Sequence, residues 1–201
     1  MADSINIIED DVRKDEKIID VWGRRNPRFE KKYEDSVIRV LSEFGKKAND
    51  NTAAKGKIFG NGYEPYIIAF FIGLYANKKL PLGDDTRDLR WPLQNWGNLE
   101  ARGLRRAYPR LRLYIFMALV ARTDIDWIAL DKGEIKVEAA VSALIKTMEE
   151  YANYGFSFME EKLNEDKGYF FSHRSFLDIF LQLTDKYQTE TENEDEVESL
   201  D

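Results

Sequence analysis

From Tyr66 to Asn77 the chain is apolar on nearly every side of a helix. Ile67, Ile68, Phe70, Phe71, Ile72 and Leu74 leave almost no polar face to turn toward water. A helix of this kind has to sit at the centre of a core, so the fold must be built around it. Pro65 falls at its first turn, where a missing N–H costs least. Gly73, in its interior, gives up roughly 1 kcal/mol of helix propensity against Ala, which predicts that a neighbouring element comes close there. The apolar stretch is about half the ~20 residues needed to span a bilayer, so it reads as a core helix.

Helical spacing recurs on both sides of it. Ile18, Ile19 and Trp22 predict a short helix over 14–23, stopped by Asn26-Pro27. Phe29, Tyr33, Val37, Val40, Leu41 and Phe44 form one face of a helix over 28–47. Residues 48–62, polar and rich in Asn, Gly and Lys, read as a loop or arm. Between Leu80 and Ala107, Pro81, Gly83, Pro92, Gly97 and Gly103 interrupt any period. A helix resumes near Pro109 and runs to Arg122, with Leu113, Ile115, Phe116, Leu119 and Val120 inward. Asp131 is placed to cap a helix over 133–154, and Asn153-Tyr154-Gly155 reads as its stop. Shorter helices are expected over 156–163 and 172–187. The strand signal is weak, and there is no internal repeat or heptad seam. The expectation is a mainly α fold, a compact multi-helix single domain over 13–187, behind a flexible leader at 1–12 and ahead of a disordered acidic tail at 188–201.

Charge is placed unevenly. Glu190, Glu192, Glu194, Asp195, Glu196, Glu198 and Asp201 equal the formal net charge of −7 by themselves, so residues 1–189 are formally neutral. A run this acidic cannot bury enough apolar surface to offset its ordering entropy. It serves solubility, or acts as a partner-binding or autoinhibitory tail that competes with nucleic acid. The chain has no cysteine, which excludes disulfides, thiolate metal sites and cysteine nucleophiles. The N-terminal residues lack the basic start and apolar stretch of a signal peptide, so the expected location is cytoplasmic.

Candidates for chemistry are few. His173 is the sole histidine, and Ser172 and Ser175 beside it read better as helix caps than as nucleophiles. Asp126 followed by Glu134-Ile135-Lys136 has the order of a metal-dependent nuclease pattern. That chemistry wants Glu-x-Lys on a strand, with both side chains on one face, whereas here the pair opens a helical stretch. Gly60-Asn61-Gly62 precedes a helix, where anions can bind, but lacks the Gly-Lys-Ser/Thr ending of a phosphate loop. No catalytic residue, metal ligand or cofactor is therefore assigned. The most informative segment runs from Arg87 to Arg122. Arg90, Arg102, Arg105, Arg106, Arg110 and Arg112 are interleaved there with Trp91 and Trp96. Forked cations beside stacking surfaces suit a nucleic-acid face, or a surface that pairs with carboxylates of the chain or of a protein partner.

Two segments carry a family resemblance. Ile58-Phe59, Ala69, Ile72-Gly73-Leu74-Tyr75 and Lys78-Lys79-Leu80-Pro81-Leu82 form the first, and Glu149-Glu150-Tyr151-Ala152-Asn153-Tyr154-Gly155 the second. Their order and interval resemble a small bacterial family of accessory proteins associated with DNA phosphorothioation (Dnd) systems. The resemblance implies a non-enzymatic accessory component of a phosphorothioation-linked modification or restriction system in phage defence. It would act through contacts with other protein subunits of a defence complex, with DNA as a further contact and no membrane. The alternatives are a stand-alone nucleic-acid-binding protein, or a metal-dependent nuclease using Asp126, Glu134 and Lys136.

Overall fold

The computed structural model describes residues 16–43, 57–97 and 110–185. The expected leader, the acidic tail, and Arg102, Arg105 and Arg106 lie outside the described residues. The fold is mainly α, as expected. It divides into two compact units, Met1–Pro27 with Arg90–Thr147 and Arg28–Leu89 with Met148–Asp201. Its helices are α1 (Ile18–Gly23), α2 (Arg39–Leu41), α3 (Tyr63–Tyr75), α4 (Leu111–Arg122), α5 (Trp127–Asp131) and α6 (Val137–Glu165). A final helix, α7, covers 175–185. Strands β1 (Arg28–Glu30) and β2 (Thr86–Asp88) pair antiparallel, Phe29 opposite Arg87.

In the second unit, α3 is the central helix the sequence demands. Tyr66, Ala69, Phe70 and Ile72 have no exposed surface. It crosses α6 with backbone touching backbone. A Cβ on Gly73 would overlap the Tyr151 carbonyl, and one on Gly155 would overlap the Ala69 carbonyl. Each helix thus supplies a glycine to the other, four residues from its partner contact. The next residue, Phe156, stacks on Tyr33 at 5.4 Å between centroids and meets Tyr66 edge-on at 5.6 Å. Glycine opens the gap and the aromatic cluster fills the space beside it.

Three expectations are corrected here. The helix predicted over 28–47 begins instead as β1, followed by a π-helical turn (Glu34–Ile38) that runs into α2. Three residues are enough for strand alternation: Phe29 is buried, while the Arg28 side chain and the Glu30 carboxylate turn to polar partners. Asn153-Tyr154-Gly155 does not stop a helix, because α6 continues ten residues past it to Glu165. Gly155 is there for space, and Asn153 bonds sideways. Its amide donates to the Glu30 carboxylate at 2.8 Å, the Pro81 carbonyl at 3.0 Å and the Leu80 carbonyl at 3.3 Å. Finally, Asp131 caps nothing. Asp126 does, accepting from the Ile128 and Ala129 amides at the start of α5.

Three carboxylates of this unit, Glu149, Glu34 and Glu30, are paired. Glu149 accepts from the Arg28 backbone amide at 2.8 Å and from its guanidinium at 3.1 Å. That contact raises the Arg28 pKa above its ordinary value. Glu34 accepts from Arg39 at 2.6 Å and also from Arg87. Burial pushes the Glu30 carboxyl up, but hydrogen bonds from Lys32, the Gly83 amide and Asn153 outweigh it and hold its pKa below the usual value. Desolvation raises Tyr66 well above the ordinary phenol range.

The first unit has a smaller core. Trp22 on α1 meets Phe116 on α4 edge-on at 5.4 Å. The Leu93 amide donates to the Arg25 carbonyl at 3.1 Å, tying the irregular segment 90–97 to the end of α1. No helix among the described residues is long and apolar enough to cross a membrane.

Candidate partner-binding face

The arginine–aromatic segment separates into parts with different roles. Trp96 is buried, and its indole N–H donates to the Trp91 carbonyl at 3.1 Å, so its ring is core and offers no stacking surface. Trp91 itself is 41% exposed. Arg90 is exposed and holds a left-handed backbone, φ 58°, which is costly for a residue with a Cβ. Arg112 turns inward and reaches the Gln94 carbonyl at 3.4 Å, a long contact. Arg110 precedes α4 and is exposed. Of the five described residues among those singled out from the sequence, Arg90, Trp91 and Arg110 therefore face solvent. Arg87 belongs with Glu34 in the other unit.

α4 supplies what the sequence pattern missed. Ile115 and Leu119 are fully buried and define its inner side. On the opposite side Leu113, Tyr114 and Met117 are exposed at 43%, 54% and 58%. Ala121 continues this outer stripe and Arg110 heads it. α4 contains no acidic residue. Leu113 was expected inside and lies outside. The physical reason is that residues two apart on a helix differ by about 200° around the axis, so Leu113 and Ile115 cannot share a side. Two apolar stripes at 113/117 and 115/119, in one helix flanked by arginines, were the available signal.

The other candidate constellations resolve into structure. Asp126 and Glu134 punctuate the two ends of α5. Beyond the N-cap, Gly133 at φ 75° donates to the Leu130 carbonyl and the Glu134 amide donates to the Ala129 carbonyl, a Schellman ending. Glu134 and Lys136 sit in the connection before α6, exposed, and neither is on a strand. At Gly60-Asn61-Gly62 a carboxylate already stands where an anion would approach, since Glu64 accepts from the Gly60 N–H at 3.2 Å and from the Asn61 side-chain amide at 3.0 Å. His173 is exposed in a turn. Ser175 is buried and donates to the Tyr169 carbonyl, and Ser172 accepts a long 3.5 Å contact from the Arg174 amide. No group of three or more His, Cys, Asp or Glu side chains among the described residues is arranged to hold a metal ion.

No family model, curated protein or solved structure matches this chain. The two segments 58–82 and 149–155 meet in space. Ala69 and Gly73 lie against Gly155 and Tyr151, the Leu80 amide donates to the Glu150 carbonyl at 3.0 Å, and Asn153 binds Leu80 and Pro81. Those residues form the α3–α6 crossing, a scaffold, and lie apart in sequence from the exposed stripe on α4.

Proposed function

We propose that this chain is a non-enzymatic accessory component of a bacterial DNA phosphorothioation-linked modification or restriction system, working in the cytoplasm through protein–protein contacts. The observation that carries the binding role is the outer side of α4, where Leu113, Tyr114 and Met117 stand exposed beside Arg110. Three large apolar side chains on one helix face form an anchor pattern for a partner helix, and contiguous exposed apolar surface marks interaction sites. Leucine and methionine lack the flat faces that stack on bases, which favours a protein partner over nucleic acid. The setting in phage defence rests on the family resemblance of residues 58–82 and 149–155.

The test is co-expression of the whole chain with the products of the genes that flank its own. The expected result is a stable complex, lost when Leu113→Asp and Met117→Asp are combined, with flanking genes that encode sulfur-modification or restriction proteins. Flanking genes of unrelated function would remove the defence setting. Salt-sensitive binding of the isolated chain to DNA, with no protein complex, would replace the reading with the nucleic-acid one.

A further inference from the structure

We infer that the segment 90–97, flanked by Arg25 and Arg112, binds single-stranded nucleic acid. Trp91 is its stacking platform, and Arg25, Arg90 and Arg112 are the cations that meet phosphate. This goes beyond the protein-binding side of α4 and uses different side chains.

The site is assembled within one unit, by contacts that hold its backbone. The Leu93 amide donates to the Arg25 carbonyl at 3.1 Å, just past the end of α1. Trp91 is two residues away, so its Cα lies within roughly 7 Å of the Leu93 Cα. A Cβ on Gly23 would stand 3.4 Å from the Gln94 Cβ, so α1 lies directly against the segment. From the other direction the Arg112 guanidinium reaches the Gln94 carbonyl at 3.4 Å. The buried Trp96 indole holds the Trp91 carbonyl at 3.1 Å, while Trp91 itself stays 41% exposed. A platform fixed before binding loses less conformational freedom when a ligand arrives.

The charge here is not neutralised. Arg25 and Arg90 are exposed and make no ion pair among the described residues. Segments 90–97 and 110–122 contain no acidic residue. The nearest acids in sequence are engaged elsewhere: Glu16 pairs with Arg24, and Asp88 stands opposite Arg28 and raises its pKa. Arg112 has only a long contact to a carbonyl, which leaves most of its five N–H donors for another acceptor. Arg90 adds a second sign. Its backbone is left-handed at φ 58°, where a glycine would fit without steric cost. Asn77, at φ 48°, is of a type that tolerates this region; arginine is not. A long cation standing where glycine fits better points to a use for its side chain.

Three forked cations would suit carboxylates as well as phosphates, so the tryptophan decides between partners. Every base has a π-face to lay on an exposed ring, and an acidic peptide side chain has none. Bases inside a duplex are covered by their neighbours, which selects an unpaired strand.

The test is fluorescence anisotropy of a labelled oligothymidylate of about 12 nucleotides with the whole chain. Binding should appear at low salt and weaken as salt rises, and the matching duplex should bind at least tenfold more weakly. Oligouridylate of the same length shows whether DNA or RNA is preferred. Trp91→Ala should weaken binding roughly tenfold. Trp91→Phe should keep most of the affinity, while the tryptophan quenching that accompanies binding in wild type disappears. Arg90→Gly should hold or raise the thermal unfolding temperature yet lower the affinity. That variant and Arg25→Gln should each reduce the slope of log affinity against log salt by about 0.7. No binding at low salt overturns the inference, as does binding that Trp91→Ala leaves unchanged. Equal affinity for a polyglutamate peptide also overturns it, and would make the segment a site for acidic protein chains. Combining Leu113→Asp with Met117→Asp should leave oligonucleotide affinity unchanged, whereas a loss there would move the nucleic-acid site onto α4. Trp91→Ala should in turn leave the complex with a flanking-gene product intact, so the two readings fail separately.

Discussion

α3 and α4 are close in length, thirteen and twelve residues, and mostly apolar, yet the fold treats them in opposite ways. α3 is enclosed over most of its surface; α4 buries two residues fully and leaves three large apolar side chains in water. The difference is in the small residues. Ala69 and Gly73 let α3 lie directly on the α6 backbone, where Gly155 returns the favour. α4 has alanines at 118 and 121, but its aromatic contact among the described residues, Phe116 with Trp22, lies away from the outer stripe. Apolar content sets how much surface a helix can bury; the spacing of small residues sets how closely a neighbour approaches.

The largest test of this contrast is at the crossing. Gly155→Ala and Gly73→Ala each drive a methyl into a carbonyl that belongs to a rigid helix, with no flexible side chain to move. Each should cost roughly 3 kcal/mol or unfold the chain, the upper part of the range for overpacking, measured by urea denaturation. A loss below about 1 kcal/mol would mean that the helices can separate cheaply, and the contrast with α4 would collapse.

Next is Asn153→Asp, which places a carboxylate where three acceptors, the Glu30 carboxylate and the carbonyls of Leu80 and Pro81, already converge. The expected loss at neutral pH is about 2–3 kcal/mol, as for a buried group left facing like charge. The loss should shrink as pH falls and one of the two carboxyls takes up a proton. Asn153→Ala, which removes the donor without adding charge, should cost less and show no such recovery.

Acid titration of the wild type gives a smaller effect. The Glu30 pKa is held below its ordinary value in the folded chain, so the unfolded state binds protons more readily. Its stabilisation is complete above the ordinary glutamate range and is lost as pH falls through that range to the lowered folded value. Glu30→Gln should flatten this part of the stability–pH curve, read by thermal unfolding at a series of pH values.

The smallest effect belongs to α4. Leu113→Ser and Met117→Ser should each leave monomer stability within about 0.5 kcal/mol of wild type, as for exposed positions away from packing. Unfolding at low protein concentration checks it. A loss of 2 kcal/mol or more, the scale of core truncation, would show that the stripe is interior and would remove the interaction face.

Much of the fold was legible because periodicity is a local signal. Ile18–Trp22, the enclosed α3 and the Ile115/Leu119 side of α4 follow from spacing alone, and the oddity of Gly73 inside a helix pointed to a close neighbour. β1 escaped notice because three residues carry too little alternation to compete with the longer helical run of Tyr33, Val37 and Leu41. Gly155 was misread because a glycine that ends a helix and a glycine that admits another helix look alike in sequence. Trp96 was misplaced for a similar reason: an aromatic among arginines has the same local pattern whether it stacks on a ligand or fills a core.

The sequence by itself determined a mainly helical chain without thiol chemistry, with one helix so apolar that it must be enclosed and with its negative excess confined to the last dozen residues. Tertiary structure alone decided which glycine was a contact, which tryptophan was interior, and which side of α4 was left to water. Those outcomes depend on atoms supplied by distant parts of the chain: the Tyr151 carbonyl facing Gly73, and the Trp91 carbonyl and Gln94 carbonyl claiming Trp96 and Arg112. A residue's own neighbours in sequence fix its local geometry, but its exposure is set by what the rest of the fold brings against it.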